Sequence, residues 1–597
     1  MTELVFKGKE FVWNHHLAVP FRPLVMQADK GIGAPRLDGN LIVQGDNLHA
    51  LKALLPMYAG KVDCIFIDPP YNTGNEGWAY NDNVNAPMIR EWLDANPIGI
   101  EDGLRHDKWC AMMWPRLRLL HELLAENGTF FVTIDDNETH RLRAMLDEVF
   151  GVDCFIAEVI WRSSDSSNND AKRFSQDHNT LLVYSKDTDW IAAKLDRDEA
   201  ANAHYSNPDN DPKGPWFPGN LSSPNPRENL RYEVPHPSGR ILSAPPNGWR
   251  WSRELMQRKI ASGEIIFVDT DRGLLRKTYL AEQQGLSPSS LWADLEVTGH
   301  TRNAKYELKR IFQEVDTADL FSTPKPTKLL NRILQVIGNK SAIVLDSFAG
   351  SGTTAHAVLE ANKRDGGNRR FILVEMEDYA DRLTAERVRR VINGYAFTGT
   401  QKTELARERL TWRAIERAAD LVHKVQGIEN LHGHEYDRIT KQVKDGELIV
   451  TGEKAVKERA EGLGGEFTYC TLGEPVELDH ILTGQDLPSF AALAGVLFHM
   501  ATSQPLDPAR MDQARGYVGQ AGGAHVWLIY RPDLDWLKSP EAALTLSFAR
   551  QVAAAHPGDR HLVFAPARHV SQRLLDQSGL AVEFVPLPFA LYRVERV

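Results

Sequence analysis

The sequence predicts an α/β protein built on a doubly wound, mainly parallel sheet. Two apolar runs that end in loops support this prediction: residues 62–67 before DPPYNTG, and residues 341–345 before DSFAGSGTT. The helical pattern AHAVLEANKR follows the second loop and completes the strand, loop and helix order of such a sheet. With 597 residues the chain is also too long for one hydrophobic core, so several structural units are expected.

Further strands fit around these two. Residues 41–44, 128–134 and 370–374 are apolar runs that end before polar or acidic residues, and helical patterns such as residues 114–120 flank them. The sheet is therefore split in sequence. The stretch between its two parts is rich in Pro, Gly, Asn and Trp and lacks the alternation of strands and helices, which indicates an inserted domain.

The end of the chain predicts a third kind of region. A charged pattern over residues 404–424 favours helix, and strand-like segments follow at 526–530 and 562–565. These features predict a helical linker and a smaller α/β domain. The predicted boundaries of the four parts are 1–161, 162–320, 321–400 and 401–597.

Composition favours a cytoplasmic protein without a structural metal. Hydrophobic residues make up 42% of the chain, and no apolar run approaches the roughly 18–20 residues that cross a bilayer. The N-terminal string MTELVFKGKEFVWNHH lacks the layout of a secretory signal. Cys64, Cys110, Cys154 and Cys470 are far apart and form no C-x-x-C pair, which argues against a zinc site or a disulfide scaffold.

The net charge of −11 is unusual for a protein that binds nucleic acid, because phosphate contacts need Lys and Arg. Residues 213–310 nevertheless hold 15 Lys or Arg against 10 Asp or Glu, interleaved with aromatic residues. This mixture suits backbone contacts and base stacking. An ordinary solvated face over an aromatic core is the alternative.

The string Asp68-Pro69-Pro70-Tyr71 is the most specific chemical feature. The Asp68 carboxylate and the Pro69 carbonyl could each accept an N–H of an aromatic amine and draw its nitrogen toward tetrahedral geometry. Proline fixes φ and removes competing donors, and Tyr71 offers a flat face for a base that has left its duplex. The alternative is a proline-rich turn whose Asp caps a neighbouring helix.

The loop DSFAGSGTT is predicted to bind a cofactor. Gly350 and Gly352 let the backbone approach a ligand, and the N–H groups that open the following helix could hold an anionic group. Alone, such a loop could bind NAD, ATP or nothing, although it lacks the dinucleotide and P-loop spacings, which disfavours nucleotide hydrolysis. Glu375 could accept both ribose hydroxyls of an adenosine-containing cofactor, or could be an exposed carboxylate at the end of a strand.

These motifs resemble those of the β-class amino-methyltransferases, in which the catalytic motif precedes the cofactor motif. Most of the chain is similar to the modification subunit of type III restriction–modification systems. Supporting strings are LIVQGDNLHAL, GTFFVTIDDNE, HNTLLVYSK, STPKPTKLLNRIL and VPLPFALYR. The resemblance implies a Rossmann-like sheet that uses S-adenosylmethionine and is circularly permuted in motif order. It also implies an inserted target-recognition domain and a C-terminal α/β domain for partner docking.

The resemblance carries roles to matching residues. It implies catalysis by Asp68, Pro69, Pro70 and Tyr71. It implies cofactor binding by Asp46, Lys325, Asp346, Phe348, Ala349, Gly350, Gly352, Thr353 and Glu375. Phe348 is expected near the adenine or methionine part, and Lys325 belongs to the motif before the loop. Asp46 would touch the cofactor adenine, with a helix N-cap as the alternative.

Sequence recognition is expected in the inserted region. The residues that could touch phosphate or guanine edges are Arg227, Arg231, Arg240, Arg250, Arg272, Arg276, Lys277, Arg302 and Lys305. The alternative for each is an ordinary surface charge. The resemblance also implies a homodimer, and a nuclease–translocase subunit as a separate chain. A methyltransferase that acts without such a subunit is the alternative.

The predicted reaction is methyl transfer from S-adenosylmethionine to N6 of a flipped adenine in double-stranded DNA. The Asp that begins the catalytic motif favours adenine, because cytosine-N4 relatives more often carry Ser there. Cytosine N4, RNA, and a non-catalytic subunit that only recognises DNA stay open as alternatives.

Overall fold

The computed structural model describes most of the chain. The described residues are 3–73, 103–197, 199–270, 273–316, 320–444, 446–475, 487–502, 504, 506–521, 523–537 and 539–587. They divide into two compact units. The smaller unit is Ala192–Pro288, and the larger one joins Met1–Ile191 to Ser289–Val597.

The strands are numbered in chain order. They are β1 Leu24–Ile32, β2 Leu41–Gln44, β3 Val62–Ile67, β4 Leu124–Ile134, β5 Phe155–Arg162, β6 His178–Ser185, β7 Trp216–Gly219, β8 Val234–Pro235, β9 Ile241–Leu242, β10 Ile265–Phe267, β11 Leu274–Tyr279, β12 Leu291–Trp292, β13 Ile343–Asp346, β14 Arg370–Glu375, β15 Tyr395–Arg409, β16 Arg438–Lys444, β17 Glu447–Ala460, β18 Phe467–Leu472, β19 Tyr517–Ala521, β20 Ala524–Leu528, β21 Ala543–Leu544, β22 Arg560–Ala565, β23 Ala567–Arg568 and β24 Val582–Pro586.

The longer helices are numbered separately. They are α1 Asn47–Tyr58, α2 Arg105–Leu123, α3 Thr139–Phe150, α4 Arg253–Ala261, α5 Thr301–Ile311, α6 Thr327–Ile337, α7 Thr353–Asp365, α8 Glu386–Asn393, α9 Ala418–His432, α10 Phe490–Thr502 and α11 Leu546–Ala555. A π-helical turn, Ala380–Ala385, precedes α8. Shorter helices are Lys9–Val12, His15–Ala18, Glu199–Asn202, Leu295–Thr298, Trp412–Glu416, Leu534–Leu537 and Gln572–Gln577.

A ten-stranded sheet forms the centre of the larger unit, in the order β1-β18-β2-β14-β13-β3-β4-β6-β5-β12. The run from β18 to β4 is parallel, whereas β6 is antiparallel to both of its neighbours. The central strands are apolar and buried, as expected of a parallel sheet covered on both faces. The α/β prediction is confirmed. The permuted motif order stays a prediction.

The smaller unit is shorter than the predicted insertion. It contains the sheet β10-β11-β7 and its own apolar cluster around Trp249 and Met256. The predicted bounds 162–320 are too wide for this unit, because β6 pairs with β4 and β5 in the main sheet. Helix α5 likewise belongs to the larger unit. Local composition does not show whether a strand belongs to an inserted domain or pairs with the main sheet, because its partner strand is distant in sequence.

The region after residue 400 departs from the predicted helical linker. Strand β15 pairs with β17 over its whole length, and β16 completes an antiparallel sheet, with α9 between β15 and β16 in sequence. Strand β18 then enters the main sheet between β1 and β2. Farther on, β20, β22 and β24 are parallel, with α11 and a short helix as their connections, so this last part is α/β.

Two features are absent from the described part of the chain. No helix there is both long and apolar enough to cross a membrane. No three His, Cys, Asp or Glu side chains there are grouped so that they could hold a metal ion. The four cysteines are unpaired.

Candidate active site

Four carboxylates follow one edge of the main sheet. Strands β2, β14, β13 and β3 are consecutive neighbours, and parallel strands end at the same edge. The acids at these ends are Asp46, Glu375, Asp346 and Asp68. The sheet thus brings the catalytic motif beside the cofactor motif, although 278 positions separate Asp68 from Asp346. This juxtaposition depends on the order of strands in the sheet.

Asp68 is held by a hydroxyl, a phenol and an ammonium. Its Oδ1 atom accepts hydrogen bonds from Thr133 Oγ1 at 2.5 Å and from Tyr71 OH at 3.0 Å. Its Oδ2 atom pairs with Lys325 Nζ, and a fifth of the side chain stays exposed. Three partners on different elements therefore fix the carboxylate. A group that enters the site can still reach it.

Tyr71 is anchored through its hydroxyl. Asn179 Nδ2 donates to Tyr71 OH at 2.8 Å, while the residue as a whole is only half-buried. Burial, and then the negative charge of Asp68, raise the pKa of Tyr71 well above its usual value. The phenol therefore stays neutral and acts as a donor to Asp68. Tyr71 is not fully enclosed, and stacking on a base requires such access.

The two prolines differ in what their carbonyls do. The Pro70 carbonyl accepts a hydrogen bond from Trp109 Nε1 at 2.7 Å, which fixes the turn against α2. No donor among the described residues reaches the Pro69 carbonyl. Of the two oxygens predicted to accept the N–H groups of an amine, the Pro69 carbonyl is thus the one that has no donor among the described residues.

A buried carboxylate that sequence reasoning missed holds the residue after the motif. Asn72 has a left-handed backbone, with φ of 59°, and its amide donates to Glu138 Oε1. Glu138 is fully buried and is also bonded to His106 and Arg141. Glu138 belongs to the string GTFFVTIDDNE, but nothing in that string indicates a contact with Asn72. We infer that Glu138 positions the catalytic loop.

Lys325 lies at the junction of the two motifs. The sequence assigned it to the cofactor side, and its carbonyl does accept from Thr353 Oγ1 at 3.0 Å. Its ammonium, however, pairs with Asp68 and lies 5.1 Å from the centre of the Tyr71 ring. The structure therefore places the charge of Lys325 at the catalytic loop, while its backbone touches the cofactor loop.

Asp346 is a buried acid whose charge is not balanced. Its carboxylate accepts from Thr354 Oγ1 at 2.5 Å and from the Phe348 backbone N–H at 3.0 Å. Burial, and then the charges of Asp68 and Glu375, raise the pKa of Asp346 to about 7. Within the described residues no cation pairs with it. A cationic ligand would therefore stabilise its ionised form.

Gly350 and Glu375 build the tight part of the cofactor loop. The Gly350 N–H donates to Glu375 Oε2 at 2.7 Å, and burial raises the pKa of Glu375. Gly350 has a φ of 52°, and a Cβ atom there would lie 3.0 Å from the Phe321 ring. Phe321 in turn meets the ring of Tyr379 edge to face. Sequence reasoning missed both rings, which flank this loop.

The remaining predicted residues of the loop lie with these. Phe348 is half-buried against the main core, whereas Ala349 and Thr353 are buried. Gly352 adopts a left-handed conformation, with φ of 76°, at the start of α7. The structure therefore brings the predicted loop residues together, and their contacts with a cofactor stay predictions.

Asp46 has the helix-capping role that was the alternative for it. Its Oδ1 atom accepts from the backbone N–H groups of Leu48 and His49, at 3.0 and 3.2 Å, so Asp46 caps α1. Arg116 lies 3.4 Å from its other oxygen. Contact with a cofactor adenine stays a prediction.

A buried arginine network, unforeseen from sequence, supports the cofactor loop. Arg387 is fully buried and donates to Thr353 Oγ1 at 2.9 Å and to Ser351 Oγ at 3.0 Å. It also pairs with Glu307 at 3.2 Å. Burial opposes ionisation of Glu307, but the hydrogen bond from His356 and the charge of Arg387 lower its pKa to about 2. Helix α5 is thereby tied to the loop.

The residues predicted to bind DNA have three different settings. Exposed residues are Arg227, Arg231, Arg240 and Arg250 in the smaller unit, and Arg302 and Lys305 on α5. Arg276 is half-buried beside Glu264 and Trp251. Arg272 lies outside the described residues.

Lys277 differs from the other residues predicted to bind DNA, because its side chain is buried within the smaller unit. Its side chain is only 6% exposed, and its ammonium lies 2.5 Å from both Asp209 Oδ2 and Asp211 Oδ2. Tyr279 OH bonds the same Asp211 oxygen at 2.9 Å. The geometry argues against a phosphate contact by Lys277, because two carboxylates already neutralise its charge. It stabilises the smaller unit from within.

Comparison with known proteins identifies the family. Residues 62–386, more than half of the chain, match the model of the DNA methylase family (N6_N4_Mtase). The chain belongs to this family. The matched segment of this methylase begins at β3 and ends at α8, so it contains both motifs and the smaller unit.

Individual relatives include two modification enzymes. The chain is 33% identical to the type III restriction-modification enzyme StyLTI Mod subunit of Salmonella typhimurium, over 57% of this chain and 52% of that one. It is 30% identical to the type II methyltransferase M.KpnI of Klebsiella pneumoniae, over 55% and 79%. The methylase spans about half the length of the type III relatives it matches.

Solved structures show a looser likeness. The PvuII DNA methyltransferase, which is cytosine-N4-specific, has a TM-score of 0.32 and 13% identity, over 60% of this chain and 89% of that one. A likeness at this level does not distinguish one activity from another.

Proposed function

We propose that this methylase transfers a methyl group from S-adenosylmethionine to N6 of an adenine flipped out of duplex DNA. We further propose that it is the modification subunit of a restriction–modification system. The observation that carries the proposal is the adjacency of the two loops on β3 and β13, with Lys325 between them. A group bound by one loop would lie beside a group bound by the other.

The acids at the sheet edge fit S-adenosylmethionine. Glu375 offers a carboxylate for a ribose diol, and the unbalanced charge of Asp346 suits a cationic cofactor. Gly350 gives the loop its sharp turn, and Phe321 and Tyr379 offer apolar rings beside it. When bound, the cofactor supplies an electrophilic methyl group on its sulfonium. The predicted set also includes Asp46, Lys325, Phe348, Ala349, Gly352 and Thr353.

Asp68 and Pro69 act on the amine of the base. Their two oxygens accept its N–H bonds and stabilise positive charge as it develops on the nitrogen. Tyr71 stacks on the base while its hydroxyl keeps Asp68 in place. When the amine binds, the Lys325 ammonium must either leave Asp68 Oδ2 or share this oxygen with the amine. Asp at the first motif position is the feature that favours adenine over cytosine.

DNA recognition and assembly belong to the same proposal. Exposed arginines of the smaller unit, Arg227, Arg231, Arg240 and Arg250, would contact the duplex. The type III relatives are named Mod subunits, which supports a separate restriction subunit as a partner. A homodimer is also proposed, and sedimentation at micromolar concentration would measure it.

Sequencing tests the reaction directly. A host without DNA methylation would express the chain, or its Asp68→Ala variant, and its DNA would be read by modification-sensitive long-read sequencing. We expect N6-methyladenine in one short motif, and a loss on the order of 10²–10³-fold or more in the variant. DNA binding by the variant should persist, because Asp68 acts chiefly in the transition state.

The other outcomes are equally informative. N4-methylcytosine in place of N6-methyladenine would contradict the assignment of the base. A folded chain that leaves DNA unmodified would contradict methylation by this chain alone. Equal modification by the wild type and by Asp68→Ala would contradict the proposed role of Asp68.

A further inference from the structure

A loop outside the predicted recognition arginines lies at the catalytic edge. Strand β5 ends at Arg162 and β6 begins at His178, and these two antiparallel strands follow β4 in the sheet. Because β6 is antiparallel to β4, the loop 163–177 emerges at the edge where β3 and β4 end. That is the edge which carries Asp68.

Direct contacts tie both ends of this loop to the active site. Asn179, the second residue of β6, donates to the hydroxyl of Tyr71 at 2.8 Å and is bonded to Ser163 Oγ at 3.1 Å. Gln176 donates to Asp136, in the turn that follows β4. The loop therefore has a fixed position relative to the catalytic tyrosine.

Internal hydrogen bonds shape the loop before any ligand binds. The carboxylate of Asp177 accepts from Ser167 Oγ and Ser175 Oγ, each at 2.5 Å, while its carbonyl accepts from two backbone N–H groups at the start of the loop. Asp165 is held by Arg302 at 2.7 Å. Two of the three carboxylates in the loop are thus engaged, and only Asp170 is exposed.

The tip of this ordered loop presents an unusual side chain. Phe174 is 97% exposed, the highest exposure among the large hydrophobic residues of the described chain. Its neighbours Lys172 and Arg173 are exposed as well. A phenylalanine in water forgoes the stabilisation that burial of such a side chain provides. An ordered loop that presents an exposed ring next to two basic residues suits a partner with an anionic surface and stacked bases inside, such as a nucleic-acid duplex.

We propose that Phe174 enters the DNA duplex at the target site and fills the space that the flipped base leaves, while Lys172 and Arg173 contact the flanking phosphates. The inference rests on the proposed function, because a flipped base presupposes chemistry on that base. Apolar side chains, phenylalanine among them, are known to enter between the base steps of a DNA duplex. Phe174 is thus a positioning residue, and Asp68 and Tyr71 remain the groups that touch the base.

The test compares Phe174→Ala with the wild type on two duplexes that contain the methylated motif. One duplex is fully paired and the other has a mismatch at the target base, which costs less to flip. We expect the variant to lose about tenfold or more in kcat/KM on the paired duplex, and to recover most of it on the mismatched one. Trp412→Ala, at an exposed aromatic residue outside the loop, is the matched control and should match the wild type on both.

A second readout separates this inference from the proposed function. A 2-aminopurine at the target position becomes fluorescent when it unstacks, whether or not methyl transfer follows. Wild-type unstacking without methylation would refute the proposed function, and a loss of that signal in Phe174→Ala would still support the role of the loop. A Phe174→Ala variant equal to the wild type in fluorescence and on the paired duplex would overturn the inference.

Discussion

The catalytic loop and the cofactor loop follow neighbouring strands, yet their charges are handled in opposite ways. Asp68 faces an ammonium and a hydroxyl from two other segments of the chain, and a phenol from its own loop. Asp346 is more deeply buried, and no cation among the described residues pairs with it. Its pKa rises to about 7, whereas Asp68 already has a compensating charge.

This difference assigns separate tasks to the two loops. The protein itself sets the charge of the catalytic loop, which is then ready before a base arrives. We propose that a cationic ligand completes the charge of the cofactor loop. We therefore expect changes in the cofactor loop to act on binding, and changes around Asp68 to act on turnover.

The largest expected effect is a loss of cofactor affinity when a bulky side chain replaces Gly350 in the cofactor loop. Gly350→Trp should weaken cofactor binding by about 10²-fold or more, because any side chain there meets Phe321 and the left-handed backbone disfavours it. Isothermal calorimetry with S-adenosylmethionine measures the affinity. Gly366→Trp is the matched control, since Gly366 has a similar φ but open space around it. Unchanged affinity in a folded Gly350→Trp variant would contradict the placement of the cofactor.

A smaller effect is expected on the catalytic side. Lys325→Met removes the ammonium that holds Asp68 in place, so we expect kcat to fall about tenfold. Cofactor affinity should change little. Lys328→Met, at an exposed lysine in the first turn of α6, is the control for loss of charge. A variant with altered cofactor affinity but a normal kcat would contradict this role and would indicate that Lys325 acts in cofactor binding.

The smallest effect is a pH dependence of cofactor binding. The pKa of Asp346 is about 7, so its carboxyl loses a proton between about pH 6 and 8, and the negative form attracts a cationic cofactor. Affinity should therefore rise severalfold across this range, and Asp346→Asn should flatten the curve at its lower level. S-adenosylhomocysteine, which lacks the sulfonium charge, should show a weaker slope. A flat wild-type curve would contradict an uncompensated Asp346.

Local sequence predicted the sheet well where strands are apolar and end in loops. Strands β2, β3, β13 and β14 lie within a residue or two of their predicted bounds, because buried parallel strands and their turns have strong local signals. Asp68, Asp346 and Glu375 could be placed at strand ends for the same reason. Their shared edge follows from the order of the strands, which only the assembled sheet reveals.

The misses have a common physical cause. Residues 404–409 have a charge pattern that also suits a helix, and their extended form depends on pairing with β17, 38 to 47 residues later in the chain. Glu138, Arg387 and the partner of Lys325 are likewise defined by contacts between distant segments. The sequence does not show whether a charged side chain will be exposed to solvent or will pair with a carboxylate inside the protein. Lys277, which pairs with Asp211, is an example.

The position of β18 in the sheet determines when the sheet can be completed during synthesis of the chain. This strand lies between β1 and β2, so the edge of the catalytic sheet near the N-terminus is closed by a segment synthesised more than 400 residues later. Until that segment leaves the ribosome, β2 presents an unpaired edge to other chains. A truncation after the cofactor loop would keep every predicted catalytic residue and still expose this edge to aggregation.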